Sequence, residues 1–232
     1  MNFKRDVEVL LGQSLSQEQI VQFEVYYQFL IEYNQITNLT RITEKNEVYY
    51  KHFFDSLSLI NICDFNRVFS LCDMGAGAGF PSLPLKILYP HLEVTIVDSL
   101  GKRITFLTKL IKILNMQQVN LVHDRVEVFA KSHQQIFDVV TARALGHLSM
   151  ICEMGLPMVK QNGYFLAPKG VNYEVEIEEA KKSIIRLGGS IMQIKAFDLP
   201  HEYGHRANIL IQKNKHIQGY PRSYALMSSK PL

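Results

Sequence analysis

Two kinds of hydrophobic spacing divide the chain near residue 65. In the first part, Ser16 is followed three residues later by Gln19, a capping-box pattern that predicts a helix start. Apolar side chains then recur at helical spacing at Ile20, Phe23, Tyr27, Leu30 and Ile31. The pattern stops at residues 34–40, where Asn and Thr side chains compete for backbone hydrogen bonds. A second helix is predicted from about Glu44 to Leu59.

From Val68 onward, short apolar segments alternate with helical ones. Strands are predicted at residues 68–73, 94–98, 119–122, 137–142, 164–167, about 190–197 and 207–212. Helices are predicted at residues 81–89, 102–114, about 147–159 and about 173–187. Asn162-Gly163 is a turn signal before the fifth strand.

This alternation predicts an α/β fold, a mostly parallel sheet with helices on both faces. The last two strands have no helix between them, so we expect them to pair as an antiparallel hairpin. We predict a helical cap at residues 1–64 and a sheet domain at residues 65–232.

Composition places the chain among ordinary globular proteins, with 47% hydrophobic and 20% charged residues in 232. Three cysteines without a Cys-x-x-Cys pair argue against a disulfide framework or a zinc site and favour a reducing compartment. No apolar run approaches the roughly 18 residues of a membrane span. With no signal peptide evident, we expect a cytoplasmic protein.

The net charge of +3 is too small to indicate a partner, but its distribution is uneven. Residues 1–70 carry 6 basic and 9 acidic side chains, a net charge of −3. Residues 71–160 carry 9 and 7, a net charge of +2, and residues 161–232 carry 10 and 6, a net charge of +4. The basic excess in the last two thirds suits a polyanion, although ordinary variation also produces such differences.

A glycine-rich loop, Asp73-Met74-Gly75-Ala76-Gly77-Ala78-Gly79-Phe80-Pro81, joins a predicted strand to a predicted helix. Glycines let the chain turn tightly and let a ligand lie against the backbone. The dinucleotide pattern G-x-G-x-x-G fails in both registers, because Phe80 or Ser82 stands where the third glycine is needed. The phosphate-loop sequence Gly-Lys-Ser/Thr is also absent. The pattern that remains resembles the first motif of S-adenosylmethionine methyltransferases.

Acidic residues flank this loop. Asp98 ends the second strand, 19 residues after Gly79, where a carboxylate can accept both ribose hydroxyls of an adenosine; dehydrogenases use the same position. Asp73 either faces the cationic end of a methionine moiety or caps the loop. Residues 123–127 follow the third strand and are either the adenine site or a polar surface turn.

The residues then match a narrower group. Matching stretches lie at residues 38–40, 52–57, 73–85, 98–107, 138–144, 169–170 and 220–222. The most specific is Asp98-Ser99-Leu100-Gly101-Lys102-Arg103-Ile104-Thr105-Phe106-Leu107. On these residues the chain resembles, over nearly its whole length, the RsmG (GidB) family of bacterial methyltransferases of small-subunit ribosomal RNA.

The resemblance implies a Rossmann-like class I methyltransferase fold with a seven-stranded sheet. It also implies methyl transfer from S-adenosylmethionine to N7 of a guanosine in 16S rRNA, with the rRNA or the small subunit as partner. Carried over by position, it implies cofactor contacts at Gly75, Phe80, Val126, Glu127 and Arg143. To these we add Asp73, Gly77, Gly79 and Asp98 from the loop itself. The chain departs from the family at Val126, where the family often has alanine; a backbone contact there would survive.

Guanine N7 carries a lone pair and no proton, so its attack on a methyl group needs no general base. We therefore assign no acid–base catalyst and no metal. Arg143, at the end of the fourth strand, is the candidate for orienting the guanine or its phosphate, against the alternative of a surface arginine paired with a carboxylate. His52 and Asp55 lie three apart on one helix face and are interpreted as a structural pair.

Candidate RNA contacts are basic residues in the last two thirds of the chain: Lys102, Arg103, Lys169, Arg206, Arg222 and Lys230. Tyr220 and Tyr224 could stack on bases. Each cation alone is equally well a solvated surface charge. The rival hypotheses are a dehydrogenase, a small-molecule methyltransferase and a non-catalytic ribosome-assembly factor. A monomer is the default expectation.

Overall fold

A computed structural model describes residues 1–232. Seven strands form one sheet: β1 Ser70–Met74, β2 Glu93–Asp98, β3 Val119–His123, β4 Phe137–Thr141, β5 Val159–Lys169, β6 Gly189–Asp198 and β7 His205–Lys213. Their order across the sheet is β3-β2-β1-β4-β5-β7-β6. Strands β1 to β5 run parallel, and β7 pairs antiparallel with both β5 and β6. The predicted parallel sheet with a C-terminal antiparallel hairpin is confirmed.

Ten α-helices surround the sheet: α1 Phe3–Leu11, α2 Gln17–Thr37, α3 Lys45–Val48, α4 Asp55–Leu57, α5 Ser82–Leu88, α6 Gly101–Ile113, α7 Val126–Ser132, α8 Leu148–Gly155, α9 Tyr173–Arg186 and α10 Tyr224–Ser229. A π-helical segment spans Tyr49–Phe54, and 3₁₀ turns lie at Ser58–Asn61, Phe65–Arg67, Leu156–Met158 and Pro200–Glu202. The predicted capping box is present: the Ser16 hydroxyl accepts the Gln19 N–H at 3.1 Å, and the Gln19 side chain accepts the Ser16 N–H at 2.9 Å.

The structure differs from the sequence-based prediction in four elements. The helix predicted from Glu44 to Leu59 is α3, the π segment, α4 and the start of a 3₁₀ turn, because the chain widens at Tyr49–Phe54. The predicted turn at Asn162-Gly163 lies inside β5, as an irregularity where pairing with β4 shifts register. Asn162 takes a φ of +65° there. Helices α7 and α10 were not predicted.

Side chains that alternate along each strand supply two hydrophobic cores, one on each face. One core contains Leu71, Ile96 and Val139 together with apolar residues of α1, α2 and the π segment. The other contains Cys72, Val97 and Val140 together with residues of α7, α8 and α9. The N-terminal helices therefore pack on the sheet, and they carry the π segment to the carboxyl ends of its central strands.

Candidate active site

Three adjoining cavities form a groove along the carboxyl ends of the central strands. The inner cavity, about 550 Å³, is lined by Asp98, Glu127, Tyr224 and their neighbours. The loop cavity, about 220 Å³, follows residues 75–78 of the glycine loop. The basic cavity, about 380 Å³, includes Lys51, Arg143, Lys169 and Arg206.

Shared walls join these cavities into one path. Gly75, Arg103 and Leu145 line both the inner and the loop cavity. His52, Arg143 and Ala144 line both the loop and the basic cavity. A ligand lying along the glycine loop therefore meets Asp98 in one direction and Arg143 in the other.

The glycine loop is shaped so that its backbone is open to a ligand. Gly75 and Gly77 have φ values of +67° and +61°, a left-handed conformation that favours glycine. A Cβ on Gly75 would lie 2.6 Å from Leu145 Cδ1, whereas nothing lies within 4 Å of a Cβ on Gly77. The Tyr26 hydroxyl of α2 donates to Ala78 O at 2.5 Å, and this hydrogen bond holds the glycine loop against α2. Gly79 packs there as well, since an added Cβ would lie 2.6 Å from that hydroxyl.

Asp98 ties the second strand to this loop. Its Oδ2 accepts the Gly77 N–H at 3.2 Å and Arg103 Nη1 at 3.2 Å, and its Oδ1 accepts the Leu100 N–H at 2.9 Å. A carboxylate offers about four acceptor sites, so about one remains for a ligand. Arg103, a candidate RNA contact, lies in an ion pair inside the groove.

Asp73 is a buried carboxyl beneath the loop. Its Oδ2 accepts the Ser82 N–H at 3.0 Å, and its Oδ1 has no hydrogen-bond partner. Burial raises the pKa of Asp73 to about 7, and the hydrogen bonds to Ser82 oppose the rise. The buried Ser82 hydroxyl also has no partner, and a hydrogen bond from it to Asp73 would satisfy both groups.

Arg143 is held where the loop and basic cavities meet. Its guanidinium lies 5.0 Å from the Phe80 ring centroid. Nη1 donates to Lys51 O and to Asp55 Oδ2, both at 3.1 Å, and Nη2 donates to His52 Nδ1 at 3.1 Å. Asp55 also forms an ion pair with Arg206 Nε at 3.3 Å. One buried carboxylate therefore positions two arginines.

His52 is a neutral member of this cluster. Burial first, and the charge of Arg143 second, lower the pKa of His52 to about 3. Nδ1 lies 3.1 Å from Arg143 Nη2, which donates, and 3.2 Å from Lys51 O, which accepts, and Nε2 lies 3.0 Å from Thr40 Oγ1. His52 and Asp55 thus form a structural unit through Arg143 rather than with each other.

The remaining residues of the predicted cofactor set lie along the groove in different roles. The Phe80 ring is buried between Tyr26 and His52, with centroids 5.5 and 4.6 Å away, so a ligand would meet its backbone. Val126 and Glu127 begin α7 and line the inner cavity. Glu127 Oε1 lies 2.7 Å from Arg125 Nε.

One residue of the inner cavity, Tyr224, was not predicted on the cofactor side, whereas Arg125 lies within the candidate adenine site at residues 123–127. Tyr224 of α10 lines this cavity, and the Arg125 guanidinium lies 5.1 Å from its ring centroid. The two are 99 positions apart, and only the folded path of the C-terminal segment brings them together. The prediction that Tyr224 stacks on RNA bases is untested, and the structure places its half-exposed ring at the inner cavity.

The candidate RNA contacts are divided. Arg206 and Lys169 reach the basic cavity, where Lys169 Nζ donates to Gly146 O at 2.8 Å and to Glu176 Oε2 at 2.7 Å. Arg222 forms two 2.7 Å hydrogen bonds with the buried carboxylate of Glu153.

The other candidates lie at the surface. Lys102 is exposed and donates to Thr37 O at 3.2 Å. Lys230 is exposed near the end of the chain, and Tyr220 is half-buried, with its carbonyl accepting from Gln134 at 3.2 Å.

The structure contains neither a metal-binding cluster nor a membrane-spanning helix. His, Cys, Asp and Glu side chains do not gather anywhere in groups of three that could hold a metal ion. None of the helices has the length and apolar character that crossing a membrane requires.

Comparison with known proteins gives a family match over most of the chain. The family model described as GidB, rRNA small subunit methyltransferase G, matches residues 19–203. A protein of Acholeplasma laidlawii named Ribosomal RNA small subunit methyltransferase G is 48% identical over 223 residues, 96% of each chain. The protein of the same name from Bacillus subtilis is 49% identical over 224 residues, 95% of this chain and 94% of its own.

Solved structures of low sequence identity share the fold. The crystal structure of M. jannaschii TYW2 in complex with AdoMet matches with a TM-score of 0.56 at 16% identity. The match covers 76% of this chain and 80% of that one. This likeness concerns the sheet and its helices.

Proposed function

The chain belongs to the GidB family, rRNA small subunit methyltransferase G, and from that premise we propose that its groove transfers a methyl group from S-adenosylmethionine to N7 of a guanosine in 16S rRNA. The family and the Rossmann-like class I methyltransferase fold predicted from the sequence are confirmed. The observation that carries the proposal is the continuous groove, which joins the glycine loop and Asp98 at one end to a basic cavity at the other.

The residues of the inner and loop cavities fit S-adenosylmethionine. Asp98 keeps acceptor capacity for a ribose, and the backbone at Gly77 is open. We assign the cofactor contacts to the predicted residues that line these cavities: Gly75, Gly77, Phe80, Asp98, Val126, Glu127 and Arg143. The other two predicted residues, Asp73 and Gly79, line neither cavity, and we propose that they shape the loop from beneath. When bound, the cofactor supplies an electrophilic methyl group on a sulfonium.

The chain's own task in this reaction is placement. N7 brings its own lone pair and carries no proton, so no residue has to remove one. His52 stays neutral near pH 7, and both of its ring nitrogens already face partners, Arg143 and Thr40. Arg143 is fixed by three hydrogen bonds at the boundary of the two cavities, where it orients the guanine or its phosphate.

The basic cavity receives the RNA. Lys51, Arg143, Lys169 and Arg206 line it, and Asp55 and Glu176 balance part of this charge. Phosphate contacts by such cations make RNA affinity fall as salt rises. Arg103 and Lys102 are also proposed RNA contacts, and the Lys102 side chain is exposed. Arg222, the remaining RNA contact predicted from the sequence, is paired with the buried Glu153 carboxylate, and this pairing gives it a competing structural role.

We further propose that the enzyme acts as a monomer in the cytoplasm, where its rRNA substrate is made. The three cavities are contiguous within one chain, which supports the monomer as the unit that carries the groove. Light scattering at micromolar concentration should give the mass of one 26.7 kDa chain.

Two measurements test the proposed function. S-adenosylhomocysteine should raise the melting temperature of the protein, whereas NAD should leave it unchanged. Labelled methyl groups should pass from S-adenosylmethionine into 16S rRNA or into small subunits prepared from cells that lack the enzyme. Protection by NAD alone, or an absence of label from both RNA substrates, would contradict the proposal.

A further inference from the structure

A carboxylate oxygen without a protein partner lies in the basic cavity. Glu176 Oε2 accepts the Leu148 N–H at 2.8 Å and Lys169 Nζ at 2.7 Å, whereas Oε1 accepts no hydrogen bond from the protein. The side chain is 18% exposed and lines the cavity. The other carboxylate there, Asp55, is 5% exposed: its Oδ2 accepts from Arg143, and its Oδ1, which has no hydrogen bond, faces Arg206 in an ion pair and is closed off from the cavity. Glu176 Oε1 therefore offers the cavity an acceptor whose position is fixed by the bonds to Oε2.

The walls of the groove give a methylated guanine one orientation. His52, Arg143 and Ala144 border both the loop cavity and the basic cavity, whereas Lys169, Gly170 and Glu176 border the basic cavity alone. The methyl donor belongs to the loop side, so N7 has to face the shared wall. The N1–H and N2–H₂ donors lie on the opposite edge of the purine, which therefore faces the wall that holds Glu176.

We propose that Glu176 is a specificity-determining residue that recognises guanine by accepting hydrogen bonds from its N1–H and N2–H₂ group at Oε1. This inference rests on the proposed N7 methylation. Adenine also carries an N7 lone pair, but it has an acceptor at N1 and no amino group at C2. With adenine in the site, Glu176 Oε1 would have no hydrogen to accept and would face the lone pair of adenine N1. Adenine is therefore rejected. The ion pair with Lys169 and the Leu148 N–H hold the carboxylate in place for this contact.

Atomic substitution in the RNA tests the contact. The substrate is an RNA that wild-type enzyme methylates, synthesised with guanosine or inosine at the methylated position. Inosine keeps N7 and N1–H and lacks only the N2 amino group. Losing one hydrogen bond to a charged acceptor should lower kcat/KM of the wild-type enzyme for inosine about tenfold or more. This arm requires no variant of the protein.

The variant Glu176→Gln links the effect to the residue. If the amide oxygen keeps the bonds to Leu148 and Lys169, the amide NH₂ then meets the guanine donors. We expect kcat/KM for guanosine to fall about tenfold and the preference for guanosine over inosine to approach one. Glu174→Gln, an exposed carboxylate on the same helix, is the matched control and should keep the wild-type preference. Binding of S-adenosylhomocysteine shows that each variant is folded.

Two results would overturn this inference while the proposed function stands: equal rates for guanosine and inosine with wild-type enzyme, or an undiminished guanosine preference in Glu176→Gln. Failure of the proposed function itself would be recognised separately, because wild-type enzyme would then place no methyl group on N7 of the guanosine substrate.

Discussion

At the scale of single residues, Arg143 shows what a sequence can and cannot indicate. Its position at the end of the fourth strand was predicted, and so was its place beside the glycine loop. Its partners Lys51, His52 and Asp55 lie 92, 91 and 88 positions earlier, and only the packing of the N-terminal helices brings them to it. Residue types and spacing identified the candidates, but the contacts that hold them are long-range.

Replacing Arg143 tests its assigned role. We expect Arg143→Ala to keep most of its affinity for S-adenosylhomocysteine, because the other residues of the inner and loop cavities remain. The variant should lose roughly a hundredfold or more in kcat on rRNA, because the guanine is no longer oriented. Arg143→Lys should recover little, since an ammonium cannot replace the three fixed hydrogen bonds of the guanidinium. Unchanged methyl transfer by Arg143→Ala would remove it from the site.

Asp98 has a cofactor role that calorimetry can measure. We expect Asp98→Ala to weaken S-adenosylmethionine binding about tenfold or more, because the variant loses both the ribose acceptor and the anchor of the Gly77 N–H. Asp198→Ala, at an exposed aspartate at the end of β6, is the control and should bind as the wild type does. A wild-type dissociation constant for Asp98→Ala would exclude Asp98 from the site.

Asp73 predicts a pH dependence of stability. Its folded-state pKa of about 7 is raised by burial above the unfolded value of about 3.9, so the folded state binds more protons between these limits. Its contribution to the free energy of unfolding therefore falls as pH rises from about 4 to about 7, by at most about 1.4 kcal/mol per pH unit.

Asp73→Asn removes this titration. The melting temperature of the variant relative to wild type should therefore rise between pH 5 and pH 8 when both proteins are studied without cofactor. A difference that is constant over this range would show that Asp73 is already ionised in the folded protein.

At the scale of elements, the spacing of hydrophobic residues and the residue types at turns predicted the seven strands and most helices. Three features lay beyond that reasoning. The π turn at Tyr49–Phe54 depends on burying Tyr49, Tyr50, Phe53 and Phe54 together. Asn162-Gly163 carries a strong turn signal, but the pairing of β5 with β4 absorbs it as an irregularity. Helix α10 has no strong signal of its own and is held by the path of the C-terminal segment.

Arg222 was predicted as an RNA contact, and its ion pair with Glu153 indicates a different experiment. Arg222 Nη1 also donates to Lys230 O at 3.0 Å, so Arg222 clamps both ends of the segment that brings Tyr224 to the inner cavity. We expect Arg222→Ala to weaken S-adenosylmethionine binding several-fold and to increase hydrogen exchange at residues 223–230. Lys230→Ala, which keeps the accepting carbonyl, should change neither. Unchanged cofactor binding with weakened RNA binding would favour the original assignment.

At the scale of the whole molecule, folding brings basic side chains from distant parts of the sequence together in one cavity. The net charge of +3 is small, but Lys51, Arg143, Lys169 and Arg206 converge on one cavity at the carboxyl edge of the sheet. Lys51 comes from the acidic N-terminal third, so segmental charge alone did not predict the full set. The groove that joins this cavity to the glycine loop is a property of the folded chain.

The most direct test of the central claim is the mapping of the modified base. Small subunits or 16S rRNA from cells without the enzyme are incubated with purified protein and S-adenosylmethionine, and the RNA is digested and analysed by mass spectrometry. The account predicts one new methyl group, on N7 of a single guanosine, formed by wild-type enzyme and absent with Arg143→Ala. A methyl group on an exocyclic amine or on carbon, or no new methyl group in the RNA, would contradict it.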